Sequence, residues 1–308
     1  MASKDWKVYM NGEIIPESEA KISIYDIGRL YGAAFYESLR TFKHTYFEFD
    51  AHLTRLERSL RYAGFLHEVD MNLVREALTK TLEVNLPRIH PDDDAWICVE
   101  VTPGEGFPIP TKKQLNKKPL IFAYGTELPH GDYYSCYQKG KSVITSTYRN
   151  IPPQAFEQRC KNRARLAHFL SKAEAQRQDP KSFALMLDTD GFICEGTGAN
   201  IFFVRDGVLY TPKTRNILVG ISRTYVIRLA KENGIPVMEE DLTLYDAYNA
   251  DEAFWTTSSY CMLPISTIDG RVIGKSLPGP VFSSLISAWG KKAGVDIISQ
   301  SKKFSGAV

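Results

Sequence analysis

Lysine, acid and small residues at a few positions of this 308-residue chain could do chemistry together. Lys161 stands in Arg159-Cys160-Lys161-Asn162-Arg163-Ala164-Arg165-Leu166. Three arginines crowd one amine, and repulsion among like charges lowers an amine's pKa and frees it to form an imine with an aldehyde. The ordinary reading of a lysine at a helix start is a solvated surface charge. A second segment is Cys194-Glu195-Gly196-Thr197-Gly198-Ala199-Asn200. Its glycines let backbone approach a flat ring. An acid at the end of a buried strand calls for a cationic partner such as a protonated ring nitrogen. The ordinary alternative is a hairpin corner with a surface glutamate. The third segment, Leu218-Val219-Gly220-Ile221-Ser222-Arg223, leads into a helix whose first amides suit a phosphate, although any capped helix looks similar. The fourth, Thr256-Thr257-Ser258-Ser259, ends a strand in hydroxyls that could ligate a phosphate or simply begin a loop. Arg55 could add a bidentate contact, whereas Arg58 and Arg61 read as helix-face charges.

The elements that must position these residues read as α+β. Asn11-Gly12 between apolar runs signals a hairpin. Residues 36–49 read as two strands around Lys43-His44-Thr45. Leu53, Leu56 and Leu60 fit a helix capped at Asp50 and closed by Gly64, and a second helix covers about 71–84. Strands follow at 95–101 and 119–124, separated by a proline- and glycine-rich loop, Gly104 to Pro110. Residues 126–132 read as a linker. Beyond it, a strand at 142–147, a helix at 161–177, strands at 183–187 and 192–195, a hairpin around Asp206-Gly207, a helix at 222–233 and a strand at 253–257 complete the pattern. The expected division is a small domain, 1–125, the linker 126–132, and a larger domain, 133–308, since the length exceeds a usual single core.

Bulk properties narrow the function. A net charge of +2 argues against a dedicated nucleic-acid or membrane-surface partner. No apolar run approaches the ~20 residues of a membrane span, and the N-terminus lacks a signal-peptide core. The five cysteines form no CxxC pair and the six histidines are scattered, so free thiols, a cytoplasmic location and no metal site are expected.

In this order the segments resemble the fold-type IV pyridoxal 5'-phosphate (PLP) enzymes, the class IV aminotransferases, over about 8–298. The specific matches are Glu195 to Phe202 and Leu218 to Arg223. The resemblance implies a two-domain, D-amino acid aminotransferase-like homodimer with its active site between the domains and a loop of the partner subunit closing each site. Lys161 would be the Schiff-base lysine that also moves the substrate's α-proton. Glu195 would keep the pyridine nitrogen protonated. Arg55, the Ile221 and Ser222 amides, and Ser258 would hold the phosphate. Arg165, Gly198, Ala199, Asn200, Gly220 and Thr257 would complete the cofactor site.

Leu30 to Arg40 looks most like branched-chain aminotransferases, with Tyr31, Glu37 and Arg40 in pattern. Tyr36, Ser38, Cys98 and Arg165 depart from it; that subgroup usually has phenylalanine, glycine, arginine and tyrosine there. The D-amino acid subgroup's arginine and histidine are absent from the loop Gly104 to Pro110. An amino acid or amine donor and a 2-oxo acid acceptor are expected, and a branched-chain donor leads. A D-amino acid or (R)-amine transaminase, an aminodeoxychorismate-type lyase, and a non-enzymatic binding protein remain as alternatives. By elimination Arg40 or Arg165 takes the substrate carboxylate, and Tyr31, Tyr36, Trp96 and Ser259 line the substrate pocket.

Overall fold

The computed structural model describes residues 5–106 and 115–306. Chain contacts divide it into two compact units, Met1–Leu128 with Cys160–Arg165, and Pro129–Arg159 with Leu166–Val308. Both mix helices and sheet, as α+β requires.

The first unit contains β1 (Lys7–Met10), β2 (Glu13–Pro16), α1 (Ile27–Tyr31), β3 (Phe35–Phe42), β4 (Thr45–Tyr46), α2 (Phe49–Tyr62), α3 (Met71–Asn85), β5 (Ala95–Thr102) and β6 (Leu120–Glu127). Its six strands run in the order β2-β1-β6-β5-β3-β4, with every neighbour antiparallel. The hairpin opens at Asn11 and Gly12, both at positive φ, as a two-residue turn with a matching twist demands. Strand alternation gives the sheet two characters. Glu37, Leu39, Ile97 and Val99 share the face that α2 covers, with Leu53, Leu56 and Leu60 buried on that helix. Tyr36, Ser38 and Arg40 share the other face with Trp96, Cys98, Glu100 and Tyr124.

The second unit contains α4 (His130–Lys139), β7 (Lys141–Thr145), α5 (Leu166–Gln178), β8 (Phe183–Leu187), β9 (Ile193–Gly196), β10 (Asn200–Arg205), β11 (Val208–Pro212), α6 (Ile221–Glu232), β12 (Val237–Glu240), α7 (Leu244–Tyr248), β13 (Glu252–Thr257), β14 (Cys261–Ile268), β15 (Arg271–Val272), α8 (Pro280–Ala293) and α9 (Ile297–Phe304). The sheet order is β12-β11-β10-β13-β14-β7-β8-β9, with β15 on β14. Phe202 stacks on Phe254 at 5.3 Å between ring centroids, and Phe282 meets Phe254 edge-on at 5.8 Å. These rings fill one face of the sheet, and the fully buried Trp255, the next residue of β13, fills the other beside Phe183.

Several expectations change. Residues 126–132 are not a free connection: β6 runs to Glu127 and α4 starts at His130. The helix expected from Lys161 starts at Leu166, because the backbone of 161–163 is engaged with β3 instead. α2 starts at Phe49 behind a left-handed Glu48 that gives no side-chain cap, so Asp50 lies inside the first turn. Part of the loop Gly104 to Pro110, from Phe107 onward, lies outside the described residues.

Candidate active site

In the first unit, Lys161 is placed by backbone pairing. Phe35 and Asn162 form an antiparallel bridge, Tyr36 N–H donates to the Lys161 carbonyl (3.4 Å), and Arg163 N–H donates to that of Ala34 (2.9 Å). The Lys161 N–H donates to Ser59 Oγ of α2 (3.1 Å). Residues 161–163 are therefore an extra rung on β3. Lys161 is half-buried, and its Nζ lies 4.5 Å from the Tyr36 ring centroid. No hydrogen bond or ion pair to a described residue engages that amine. Its pKa is lowered. Burial is the largest cause; Arg55 and Arg165 add repulsion, while Tyr36 and Glu37 pull the other way. The sequence argument named the wrong cations in part: Arg159 is paired with Glu157 (2.6 Å) and Arg163 with Glu100 (2.6 Å).

Arg165 donates from Nη1 to the Tyr36 hydroxyl (2.6 Å). Burial alone would push that hydroxyl's pKa up, but Lys161, Arg165 and Arg163 together bring it below the ordinary value. Tyr36 and Arg165 thus belong to the Lys161 cluster. Arg40 does not. It is 2% exposed, donates to the Thr41 carbonyl (3.0 Å), lies 3.8 Å from Asp94 and stacks on Phe42 at 4.0 Å. This corrects the expectation that it is available to a substrate carboxylate. Trp96 is half-buried beside Tyr124, on the same sheet face as Tyr36. Tyr31 is 59% exposed at the end of α1.

Arg55 serves a partner that the sequence did not suggest. Its Nε and Nη2 donate to the two oxygens of Glu37 (2.7 and 2.6 Å), and His52 Nδ1 lies 2.7 Å from Glu37 Oε2. Glu37 is wholly buried. Burial would raise its pKa, but Arg55 and then His52 hold it down at about 2. Burial also lowers the His52 pKa, so a neutral ring donates from Nδ1. His52 at i−3 from Arg55 on an apolar helix face was the available signal for this network.

The second unit gathers the remaining residues. Glu195 is 6% exposed; its Oε2 accepts from Asn200 Nδ2 (3.0 Å) and the Leu218 N–H (3.2 Å). Its Oε1 has no hydrogen bond among the described residues, and His168 Nε2 lies 4.0 Å away. Asn200 also donates to the Leu218 carbonyl (2.9 Å). A methyl group on Gly220 would stand 2.1 Å from Asn200 Oδ1, so this glycine makes room for the asparagine that holds Glu195. Gly196 is similarly filled by the Trp255 ring at 3.0 Å rather than left for a ligand, whereas Gly198 faces open space.

Gly220 precedes Ile221 and Ser222, the first residues of α6, and the Ser222 hydroxyl is buried without a partner among the described residues. Thr257 donates to the Gly198 carbonyl (3.1 Å), and Ala199's carbonyl accepts from Gly196 N–H (2.8 Å). Ser258 is half-buried in the turn after β13. Gly198, Ala199, Thr257 and Ser259 line one cavity of about 330 Å³, which Lys172 also borders. Taken separately, the first unit supplies an amine of lowered pKa, and the second a buried carboxylate and phosphate-suited amides at a helix start.

Residues 34–268 match the family model described as amino-transferase class IV. A Methanocaldococcus jannaschii protein that carries the name of a branched-chain-amino-acid aminotransferase is 36% identical, covering 93% of this chain and 98% of its own. The D-alanine aminotransferase of Bacillus licheniformis is 30% identical, covering 92% and 95%. Among solved structures, a branched-chain amino acid aminotransferase from the organism abbreviated T.th., with pyridoxamine 5'-phosphate, superposes with a TM-score of 0.81 at 27% identity, covering 94% of this chain and 95% of that one.

Proposed function

The chain belongs to the class IV aminotransferases, and from that premise we propose that it uses PLP to move an amino group from a branched-chain L-amino acid to a 2-oxo acid, with Lys161 as the cofactor-bearing lysine. The observation that carries the reading is the amine of Lys161. It is half-buried, without an acceptor among the described residues, and of lowered pKa, which suits a lysine that must be uncharged to react.

The other residues fit the cofactor on their own chemistry. Glu195 has a buried carboxylate with one oxygen lacking a donor, which a protonated pyridine nitrogen would supply. Ser222 has a buried hydroxyl with no partner among the described residues, and with the Ile221 and Ser222 amides it suits a phosphate. Ser258 and Thr257 add hydroxyls. Arg55 has its Nε and Nη2 committed to Glu37, which argues against its expected role on the phosphate.

When bound, PLP supplies an electron sink for the charge left when the substrate's α-proton departs. Lys161 takes that proton at Nζ and returns it. Glu195 keeps the proton on the ring nitrogen, and Asn200 with the Leu218 amide keeps Glu195 in place. Tyr36 and Arg165 hold a hydrogen-bonded hydroxyl beside the amine.

The protein acts as a homodimer in this reading. Ile22, Ile24 and Tyr31 are 45, 65 and 59% exposed, an apolar surface suited to a second copy. Five buried free thiols suit a reducing, cytoplasmic setting. No helix among the described residues is long and apolar enough to cross a membrane.

Lys161→Ala should lose the visible absorbance of lysine-bound cofactor and all conversion of cofactor to its amine form. Borohydride-reducible attachment at another lysine would sink the assignment. A panel of L-amino acids, D-amino acids and (R)-amines should give fastest conversion with L-leucine, L-isoleucine or L-valine. Faster conversion with D-alanine would replace the branched-chain donor by a D-amino acid.

A further inference from the structure

Arg40 is engaged by Asp94 and the Thr41 carbonyl, and Arg165 by the Tyr36 hydroxyl, while the sheet face around Tyr36 offers a further guanidinium for the substrate carboxylate. The bridge between Phe35 and Asn162 makes 161–163 a short antiparallel rung, so Lys161 and Arg163 project to the side on which Tyr36 lies. Lys161 Nζ is 4.5 Å and Arg163 Cζ 3.7 Å from the same ring centroid. The guanidinium is held from behind. Its Nε donates to Glu100 (2.6 Å), and its Nη2 to the Tyr124 hydroxyl (3.1 Å) and Cys98 Sγ (3.6 Å). Its Nη1 has no partner among the described residues, and the side chain is 36% exposed.

Glu100 is 8% exposed, and burying it raises its pKa against the pull of Arg163. A buried carboxylate is a costly way to fix a cation that merely decorates a surface. It is a reasonable way to lock a guanidinium so that one nitrogen stays presented. Around Tyr36, two guanidiniums, Arg163 against the ring and Arg165 on the hydroxyl, stand beside the one carboxylate of Glu100, so the cluster keeps a positive charge whether or not Lys161 is protonated. An anion is the complementary guest. An amino acid carries its carboxylate on the very carbon that Lys161 must deprotonate, so amine and guanidinium beside one ring match its two ends.

We propose that Arg163 receives a carboxylate of the amino-acid or 2-oxo-acid substrate through Nη1, with Glu100 as the positioning residue that aims it. The proposal rests on the reading of Lys161 as the reacting amine.

The test uses holoenzyme and an unreactive carboxylate, 4-methylvalerate, titrated through its effect on the visible spectrum, with 4-methylvaleramide as the neutral control. Arg163→Gln should keep cofactor content and visible absorbance. It should weaken 4-methylvalerate roughly 10- to 100-fold, the loss expected for one charge-assisted hydrogen bond, and leave the amide's weak binding unchanged. Its half-reaction should slow for L-leucine and L-glutamate more than for L-leucinamide. Glu100→Gln should weaken 4-methylvalerate several-fold while Arg163 is intact. Should Arg163→Gln not fold, Arg163→Lys retains the charge beside Glu100 but not the fork, and it must still weaken 4-methylvalerate several-fold. Wild-type affinity for 4-methylvalerate in either Arg163 variant, or equal loss for acid and amide, overturns the proposal. Absence of lysine-bound cofactor absorbance in the wild type would instead overturn the reading of Lys161, and the two failures are distinguishable.

Discussion

Glu37 is a carboxylate wholly removed from water. Its carboxylate is enclosed by Arg55 and His52, which hold its pKa down at about 2 from an ordinary 4.5. A folded-state value below the unfolded one adds stability that is fully present above about pH 4.5 and is lost as pH falls toward 2. The shift corresponds to on the order of 3 kcal/mol. In urea titrations between pH 7 and pH 2.5, the gap between wild type and Glu37→Gln should therefore narrow as pH falls. A gap independent of pH would show that the carboxylate is not ionised in the folded state.

Glu195→Gln should retain cofactor but slow the half-reaction by roughly 10²–10³, the scale of one electrostatic group at a reacting centre; unchanged single-turnover rates would remove Glu195 from the site. Lys161 and Glu195 stood out in the sequence through the resemblance of their local segments, not through their surroundings, since Lys161 meets Ser59 across 102 positions of chain. The pairing of Arg40 was not legible, because its partner Asp94 lies 54 positions away in the chain and only the sheet brings them together. The same holds for Arg163 and Glu100, 63 positions apart.

At the level of elements, α2 divides sharply by face. Arg55 points into the unit toward Glu37, while Arg58 is exposed. Arg55→Ala strands a buried charge and should cost about 3–5 kcal/mol, whereas Arg58→Ala should stay within about 0.5 kcal/mol. Similar denaturation midpoints for the two variants would contradict this.

At the start of α6, Gly220→Ala should displace Asn200 and with it Glu195. The variant should lose cofactor on dialysis faster than Ser222→Ala, which removes one hydroxyl and leaves the backbone donors. Helices with apolar periodicity, such as α2, α3 and α6, were legible to within a few residues. α4 was not, because Pro129 and Gly131 read as loop residues although Pro129 is only the N-cap. The helix expected from Lys161 failed for a different reason. Its arginines and alanine favour helix, but two backbone bonds to β3 override that preference.

At the scale of the molecule, the chain passes from the first unit to the second at Leu128, returns for Cys160–Arg165, and leaves again. The sequence boundary at 125–133 did not include that return, since no composition change marks it. The six returning residues cover one edge of β3, where Ala34, Phe35 and Tyr36 would otherwise present bare backbone. An uncovered edge recruits other strands. A fragment ending at Leu128 should therefore sediment as concentration-dependent aggregates. A monodisperse monomer would show that the edge needs no cover.

That return also sets an order of events on the ribosome. Residues 1–128 are complete well before Arg165 leaves the exit tunnel, and at ~5–20 residues per second the interval lasts a few seconds. Throughout it the nascent chain holds the sequence of every helix and strand of the first unit but lacks the rung that covers β3 and, with it, Lys161. Lys161 is thus the last part of that unit to be made, and the edge of β3 that stays bare in the interval is a natural point of engagement for a chaperone.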